Sequence, residues 1–230
     1  MLKKIIIALF LAIAIMGTVM LYQNFKNTES YGTIIILNGP SSVGKSSIQK
    51  AVQALFHVPY LKMGLDDLAF LPTSYISVNG PVAPADQGIW LGKTQQDGHP
   101  VITIHYGPIG QKMIAGIHRT FAAFAQTGNN IIVDYILYDR DWLQDLVTVL
   151  KDYKVYFIGV HAPLEIIEAR EQQRGNRLLG HARSHYDTVH KGLIYDLEID
   201  SSQITPAAAA LLIQKYIVEH PEPRAFKKNI

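Results

Sequence analysis

The sequence of 230 residues contains no cysteine. This absence excludes a disulfide framework and any metal site built from thiolates, although it fits every redox compartment. A strong charge of one sign is also lacking, because 21 Lys and Arg residues stand against 19 Asp and Glu residues. Lys3 and Lys4 account for the whole surplus, so the remaining chain is neutral. Nucleic-acid-binding domains are usually basic, and this composition therefore indicates no nucleic-acid partner.

One long stretch also lacks charge, residues 5–22, and it follows Lys3 and Lys4 directly. A helix over these residues would be about 27 Å long, close to the roughly 30 Å of a bilayer's hydrocarbon core. No small-residue cleavage motif follows the stretch, and Tyr22 suits a membrane–water interface. The sequence therefore predicts an N-terminal transmembrane helix within residues 1–23. A cleaved signal segment is the alternative, and either would make the protein membrane-associated or exported.

A phosphate-binding motif follows a short polar linker at residues 24–31. Residues 39–46 match G-x-x-x-x-G-K-[ST], between an apolar run at 33–38 and a helical pattern at 45–56. Backbone N–H groups in such a loop surround phosphates, and the helix N-terminus adds further donors. Lys45 is predicted to reach the phosphates of ATP, and Ser46 to bind Mg²⁺. The predicted nucleotide-binding residues of this loop are Gly39, Pro40, Ser41, Ser42, Val43, Gly44, Lys45 and Ser46.

Strand and helix patterns alternate through residues 32–219, the predicted kinase domain. Apolar runs predict five strands, at residues 33–38, 60–63, 131–133, 155–160 and 197–199. Helical patterns lie at residues 45–56, 108–126, 141–150, 163–174 and 207–218. This alternation predicts an α/β fold in which helices cover both faces of a parallel sheet. Residues 220–230 are predicted to be a polar tail.

Residues 71–107, called the insert below, follow no strong period. Turn signals cluster in the insert, including Asn79-Gly80-Pro81 and Asp97-Gly98. Residues 76–78 and 101–106 predict two short strands of a hairpin. A segment of this length is usually a lid, a substrate-recognition element or a disordered loop, and the apolar residues 89–91 favour an ordered insert. His105 and Tyr106 are candidates for the lining of a substrate pocket, although core packing explains them as well.

Acidic residues follow two of the predicted strands, where ligands of parallel sheets bind. Asp66 and Asp67 come after the second strand, and either could accept the proton of an attacking hydroxyl or cap the next helix. Asp134 ends the Ile-Ile-Val strand. Together with Ser46 it is predicted to bind Mg²⁺, because the ion at a phosphate-binding loop needs a second anchor.

The predicted lid covers residues 170–187. Its first eight residues contain three arginines, Arg170, Arg174 and Arg177. Arg170 is predicted to contact the nucleotide, while Arg174 and Arg177 neutralise the charge of the transferred group. An exposed, arginine-rich helix end is the alternative. His181 and His185 have the spacing of a metal pair but lack a third ligand nearby, so we interpret them as the lid's surface.

Taken in order, these motifs resemble the chloramphenicol phosphotransferase family of P-loop kinases. The resemblance covers about residues 34–202, through the loop motif, Gly64-Leu65-Asp66, residues 128–134, the arginine segment and residues 189–200. It implies a nucleoside-monophosphate-kinase-like fold with a five-stranded sheet, ATP and Mg²⁺ as cofactors, and phosphate transfer to a hydroxyl. It also implies that Asp66 is the base. Asp134-Tyr135 replaces the family's Asp-Asp pair, and the insert is longer than in the family. The sequence therefore does not identify the acceptor substrate.

We therefore predict an ATP-dependent phosphotransferase that acts on a hydroxyl of a small molecule. A zeta-toxin-like kinase of a nucleotide sugar is one alternative. A membrane-tethered ATP-binding module without transfer is another, although a pure binder needs neither Asp66 nor the lid arginines. The sequence does not decide on which side of the membrane the kinase domain lies, because the N-terminal lysines favour a domain outside the cell whereas ATP is abundant inside. The oligomeric state is not indicated.

Overall fold

A computed structural model of the chain describes residues 31–65, 74–175 and 178–229. One compact unit begins at Gly32. Its strands are β1 (Ile34–Asn38), β2 (Tyr60–Gly64), β3 (Ile76–Ser77), β4 (Ile89–Gln96), β5 (His99–Tyr106), β6 (Asn130–Tyr135), β7 (Val155–His161) and β8 (Leu197–Asp200). Its helices are α1 (Lys45–Leu55), α2 (Pro108–Gln126), α3 (Arg140–Leu150), α4 (Leu164–Arg174), α5 (His181–Ser184) and α6 (Pro206–Glu219).

Five of the strands form a parallel sheet in the order β2–β6–β1–β7–β8. The predicted α/β fold with a five-stranded parallel sheet is confirmed. The central strand β1 is buried along its whole length, because it has a strand on each side and helices cover both faces of the sheet. A continuous apolar run is typical of such a strand.

The side chains of β1 divide between two halves of the core, because successive residues of a strand point to opposite faces. Ile34 and Ile36 pack with residues of α2 and α3, such as Phe121 and Leu146. Ile35 and Leu37 pack in the other half, with residues of α1, α4 and α6. The periodicity of the sequence thus places three helices on one face and two on the other.

The carboxyl ends of the parallel strands meet at one edge of the sheet. Leu37 in β1 and Gly64 at the end of β2 are both in register with Asp134 in β6. Asn38 ends β1 and holds the neighbouring loops, because its Oδ1 accepts from the Leu137 amide at 2.9 Å and its Nδ2 donates to the Val189 carbonyl at 2.9 Å. This edge therefore brings together the predicted site residues of separate segments.

The described part of the insert forms a second sheet. The predicted hairpin between residues 76–78 and 101–106 is wrong, because these two strands do not pair with each other. β5 pairs antiparallel with β4, from Ile89 opposite Tyr106 to Gln96 opposite His99, while β3 runs parallel beside β4. The sequence does not reveal β4, because its apolar start gives way to Gly92 and then to polar residues that lie exposed.

The predicted transmembrane helix and membrane association are corrected by the structure. Across residues 31–65, 74–175 and 178–229, every helix is too short or too polar to cross a bilayer. The longest, α2, carries Lys112 and Arg119, and the apolar α6 has only 14 residues. The stretch at residues 5–22 on which the prediction was based lies outside the described residues. The described residues form an α/β fold around the five-stranded parallel sheet.

The predicted polar tail differs from the structure at Phe226. This side chain is 1% exposed and packs against Phe157 of β7, with ring centroids 5.7 Å apart. The Asp196 carboxylate fixes the two residues before Phe226, because it accepts hydrogen bonds from the Arg224 and Ala225 amides. A single aromatic residue therefore extends the core into a segment whose composition is polar.

Candidate active site

The phosphate-binding loop connects β1 to α1 in the predicted way. Gly44 adopts φ 104° at the residue before α1, a left-handed conformation that disfavours any side chain. The Ser47 and Ile48 amides donate to the Gly44 carbonyl and start the helix. Ser42 Oγ is buried and has no hydrogen-bond partner among the described residues. A buried hydroxyl without a partner is costly, so this atom fits a loop that receives a polar ligand.

Lys45, Ser46 and Asp134 form one charged cluster. The Lys45 ammonium donates to the carbonyl oxygens of Gly39 and Pro40 at 2.7 and 2.8 Å, and lies 3.4 Å from Asp134 Oδ1. Ser46 Oγ donates to Asp134 Oδ2 at 2.7 Å. The hydroxyl and the carboxylate are oxygen donors, which Mg²⁺ prefers, so this pair fits the ion. The sheet register brings these residues together from segments far apart in sequence.

A cavity of about 380 Å³ opens beside the loop. Its walls include Gly44, Arg170, Arg174 and Ser201. The Arg170 guanidinium donates to the Ser201 carbonyl at 2.8 Å and to Ser201 Oγ at 3.0 Å, and Ser201 Oγ donates to the Val43 carbonyl at 2.5 Å. Arg170 therefore joins α4 and the residue after β8 to the phosphate-binding loop, and it borders the cavity at the same time.

Replacing Arg170 by alanine is expected to raise the KM for ATP about tenfold, because the wall beside the loop loses charge-assisted hydrogen bonds. Arg174→Ala should instead lower kcat more than it raises KM, because Arg174 is exposed at the end of α4 and is predicted to contact the transferred group. Steady-state rates of ADP formation at varied ATP measure both constants. If both substitutions changed kcat and KM in the same way, the assignment of Arg170 to ATP binding and of Arg174 to the transferred group would be contradicted.

The histidines of the lid lie in a different environment from the predicted one. His185 is 4% exposed, so its interpretation as lid surface is wrong. Its ring lies edge-on to Tyr138, with centroids 4.3 Å apart, and 5.0 Å from His181. His181 Nε2 and the Tyr138 hydroxyl are within hydrogen-bond distance at 3.1 Å. The lid thus covers the loop before α3 with two imidazoles.

Buried imidazoles are expected to make the protein sensitive to acid. Burial lowers the pKa of His185 to about 2, with further contributions from His181 and Lys45, and burial and His161 lower the pKa of His190 to about 4. The unfolded chain takes up these protons near pH 6.5, so the stabilisation is complete above that pH; it is lost as the pH falls towards 4 for His190 and towards 2 for His185. The slope is up to about 1.4 kcal/mol per pH unit for each histidine.

Urea unfolding between pH 7.5 and pH 4.5 measures this loss. His185→Gln should flatten the dependence, whereas the exposed His57 provides the matched control His57→Gln, which should keep the slope of the natural chain. An unchanged slope in His185→Gln would show that this imidazole does not cause the acid sensitivity.

Several predicted site residues cannot be placed. Asp66, Asp67 and Arg177 lie outside the described residues. Of the two candidates in the insert, Tyr106 donates through its hydroxyl to the Asp139 carboxylate before α3. His105 stacks on Trp90 at 4.0 Å instead, on an exposed part of the insert. The structure therefore brings Tyr106 to the loop that carries Tyr138.

Sequence reasoning missed Tyr138 and Glu171 altogether. Tyr138 carries no motif, and only the packing of the lid reveals its position beside His181. Glu171 is 2% exposed although it belongs to a polar helix, and it accepts hydrogen bonds from the Gly180 and Ala182 amides. A signal existed only for Glu171, since it directly follows Arg170 in the arginine segment.

Solved kinases share this fold. An APS kinase from Mycobacterium tuberculosis, in complex with AMPPNP and APS, matches with a TM-score of 0.53 and 14% identity, covering 82% of this chain and 98% of that one. A gluconokinase from Sinorhizobium meliloti matches with a TM-score of 0.54 and 16% identity, covering 84% and 96%. At these identities the likeness concerns the fold alone. Together, fold and loop define a P-loop kinase, which binds a nucleotide.

The chain belongs to the chloramphenicol phosphotransferase-like protein family, whose profile matches residues 32–218. A relative from Mycobacterium tuberculosis strain H37Rv, named as a proposed O-phosphotransferase, is 31% identical over 198 residues. That match covers 86% of this chain and 87% of the relative. The resemblance inferred from the sequence is thereby confirmed, and the chain is a kinase-type phosphotransferase.

Proposed function

We propose that the protein transfers the γ-phosphate of ATP to a hydroxyl group of a small molecule. The observation that carries this proposal is the cluster of Lys45, Ser46 and Asp134 at the carboxyl edge of the sheet. Phosphoryl transfer needs charge stabilisation and positioning more than covalent chemistry from the protein. A cation, a hydroxyl and a carboxylate beside a phosphate-binding loop supply those two needs.

Each group has a separate task in this proposal. Lys45 donates to phosphate oxygens and holds them in place. Ser46 and Asp134 bind Mg²⁺, which, when bound, neutralises charge on the phosphates. Arg170 keeps the wall of the nucleotide cavity in position through Ser201. Arg174 neutralises charge that spreads over the transferred group, with Arg177 as its predicted companion.

Asp66 is proposed to accept the proton of the acceptor hydroxyl. Gly64, the last residue of β2, is in register with Asp134, and Asp66 follows two positions later in the chain. That end of β2 lies at the same edge of the sheet as the phosphate-binding loop, and the role of Asp66, which is outside the described residues, is proposed from the family resemblance. The proton leaves the hydroxyl as the bond to phosphorus forms, and a positioned base assists that step.

The acceptor side is proposed to bind a neutral compound with a flat ring. We assign to this side the aromatic cluster of Tyr138, His181 and His185, next to which Tyr106 donates to Asp139. Burial lowers the pKa of His185 to about 2, so this imidazole is neutral at physiological pH. Nearby Arg183 is engaged by Glu168 at 2.7 Å. Aromatic rings and neutral imidazoles favour a ring with hydroxyl groups over a phosphorylated sugar.

The test is an acceptor screen in the presence of ATP and Mg²⁺. ADP formation should rise above the water-only rate with hydroxyl-bearing aromatic compounds, chloramphenicol among them, and less with phosphorylated sugars or nucleotide sugars. Stimulation by a nucleotide sugar alone would move the acceptor class to that alternative. No stimulation by any hydroxyl compound would overturn the proposed transfer.

A further inference from the structure

We propose that Glu171 is a positioning residue that holds the lid and the insert together as one unit over the site. The proposal rests on the proposed function, because it assigns Glu171 a part in arranging the two sides of the phosphotransferase site. Glu171 lies on α4 directly after Arg170, yet its side chain faces the protein and is 2% exposed.

Both carboxylate oxygens of Glu171 are used to hold the lid. Oε2 accepts from the Gly180 amide at 2.7 Å and Oε1 accepts from the Ala182 amide at 2.8 Å. Among the described residues no cation pairs with this carboxylate. Burial of a charge is costly unless hydrogen bonds compensate it, so the two amides are what keep Glu171 in place. The bonds close a loop in the chain, and Arg174 lies within it.

Gly180 connects that loop to the insert. Its carbonyl accepts from the Ile102 amide of β5 at 3.0 Å, so residue 180 is bonded to α4 on one side and to β5 on the other. A Cβ atom at this position would lie 2.2 Å from the Pro100 carbonyl oxygen, and φ is 97°. The contact is therefore too close, and the backbone too unusual, for a side chain.

Each partner of this junction carries side chains that the proposed function assigns to the acceptor side. The lid segment that starts at Gly180 carries His181 and His185, which pack on Tyr138. The last strand of the insert, β5, ends with Tyr106, whose hydroxyl donates to Asp139, the residue before α3. The buried carboxylate thus bonds the lid directly and is linked to the insert through Gly180, whose carbonyl accepts from β5.

The ion pair between Arg183 and Glu168 is a second tie between the lid and α4, with N–O distances of 2.7 and 3.0 Å. It is partly exposed, with 18% and 30% of the side chains accessible. Exposed ion pairs contribute little. The Glu171 tie is therefore distinguished by its burial and by its direct link to β5 through Gly180.

Hydrogen–deuterium exchange of the full chain with AMPPNP and Mg²⁺ tests the coupling without any turnover. In Glu171→Gln, amide exchange should rise about tenfold or more at residues 178–185 and also at residues 101–104, because a lost charge-assisted bond at Gly180 frees both segments. Exchange in α1 should not change. Glu165→Gln, on an exposed position of the same helix, is the matched control and should leave both segments protected.

Faster exchange in the lid with unchanged exchange at residues 101–104 would overturn the coupling. Gly180→Ala approaches the same junction from the side of the insert, and it should release both segments even if Glu171→Gln does not fold. Unchanged protection of the lid in Gly180→Ala would likewise overturn the proposal.

Kinetics separate a positioning role from general stabilisation. Glu171→Gln should lower kcat for ADP formation by as much as about 10²-fold, as expected for a misplaced catalytic group, with little change in the KM for ATP because the phosphate-binding loop is intact. A raised KM with unchanged kcat would contradict a positioning role. If the natural chain itself transfers no phosphate, the proposed function fails, whereas the exchange experiment still decides on the coupling.

Discussion

Replacing Lys45 by alanine is expected to lower phosphoryl transfer by about 10³-fold. Its ammonium group lies at the centre of the site, 2.7 Å from the Gly39 carbonyl and 3.4 Å from Asp134. No other described lysine lies in this cluster, so the variant has no substitute for the lost charge. The measurement is the rate of ADP formation with ATP, Mg²⁺ and an accepted hydroxyl compound.

The control for this substitution is Lys50→Ala, on the exposed side of the same helix α1. It should keep the natural rate. Thermal unfolding should accompany both assays, because Lys45→Ala leaves the Gly39 and Pro40 carbonyls without their partner at a cost of about 1–3 kcal/mol. Activity of a folded Lys45→Ala close to that of the natural chain would contradict the kinase assignment of the loop.

Asp66→Asn is expected to lower kcat by about 10²–10⁴-fold with little change in ATP affinity. The amide keeps the size and the hydrogen bonding of the side chain but cannot take the proton of the acceptor. ATP affinity should be preserved because the proposed contacts with the nucleotide are those of the phosphate-binding loop and Arg170. Single-turnover rates and binding of AMPPNP with Mg²⁺ measure the two quantities separately.

Asp67→Asn is the matched control at the neighbouring position, and its loss should be much smaller. A larger loss in Asp67→Asn would move the base by one residue. Full activity of both variants would mean that the protein works by positioning and charge stabilisation alone, since no other base is proposed for the reaction.

The sequence predicts the parts of this protein that depend on local chemistry. The phosphate-binding loop is contiguous, and Gly44 must be glycine for the turn to form. The strands β1, β6 and β7 are buried on both faces and therefore appear as apolar runs that are easy to recognise. Because parallel strands end at one edge, the proximity of Asp134 to the loop also follows from the pattern.

Long-range packing explains what the sequence does not reveal. Glu171 belongs to a polar helix, and its burial depends on Gly180 returning to it from further along the chain. His185 is buried because the lid packs on Tyr138, a contact that no local period indicates. β4 lacks a clear alternation beyond Gly92, so its pairing with β5 and β3 defines it as a strand. The apolar residues 5–22 led to a membrane helix that the described fold does not contain.

The central claim is transfer of phosphate to a hydroxyl, and a single-turnover experiment with ATP labelled at the γ-phosphate tests it most directly. Enzyme in excess over ATP, with Mg²⁺ and the best acceptor of the screen, should move the label to the acceptor. Mass spectrometry of the product should then identify a phosphate ester on one hydroxyl, and Lys45→Ala should form none. Label found only in inorganic phosphate, or remaining in ATP, would contradict the assignment of this protein as a small-molecule O-kinase.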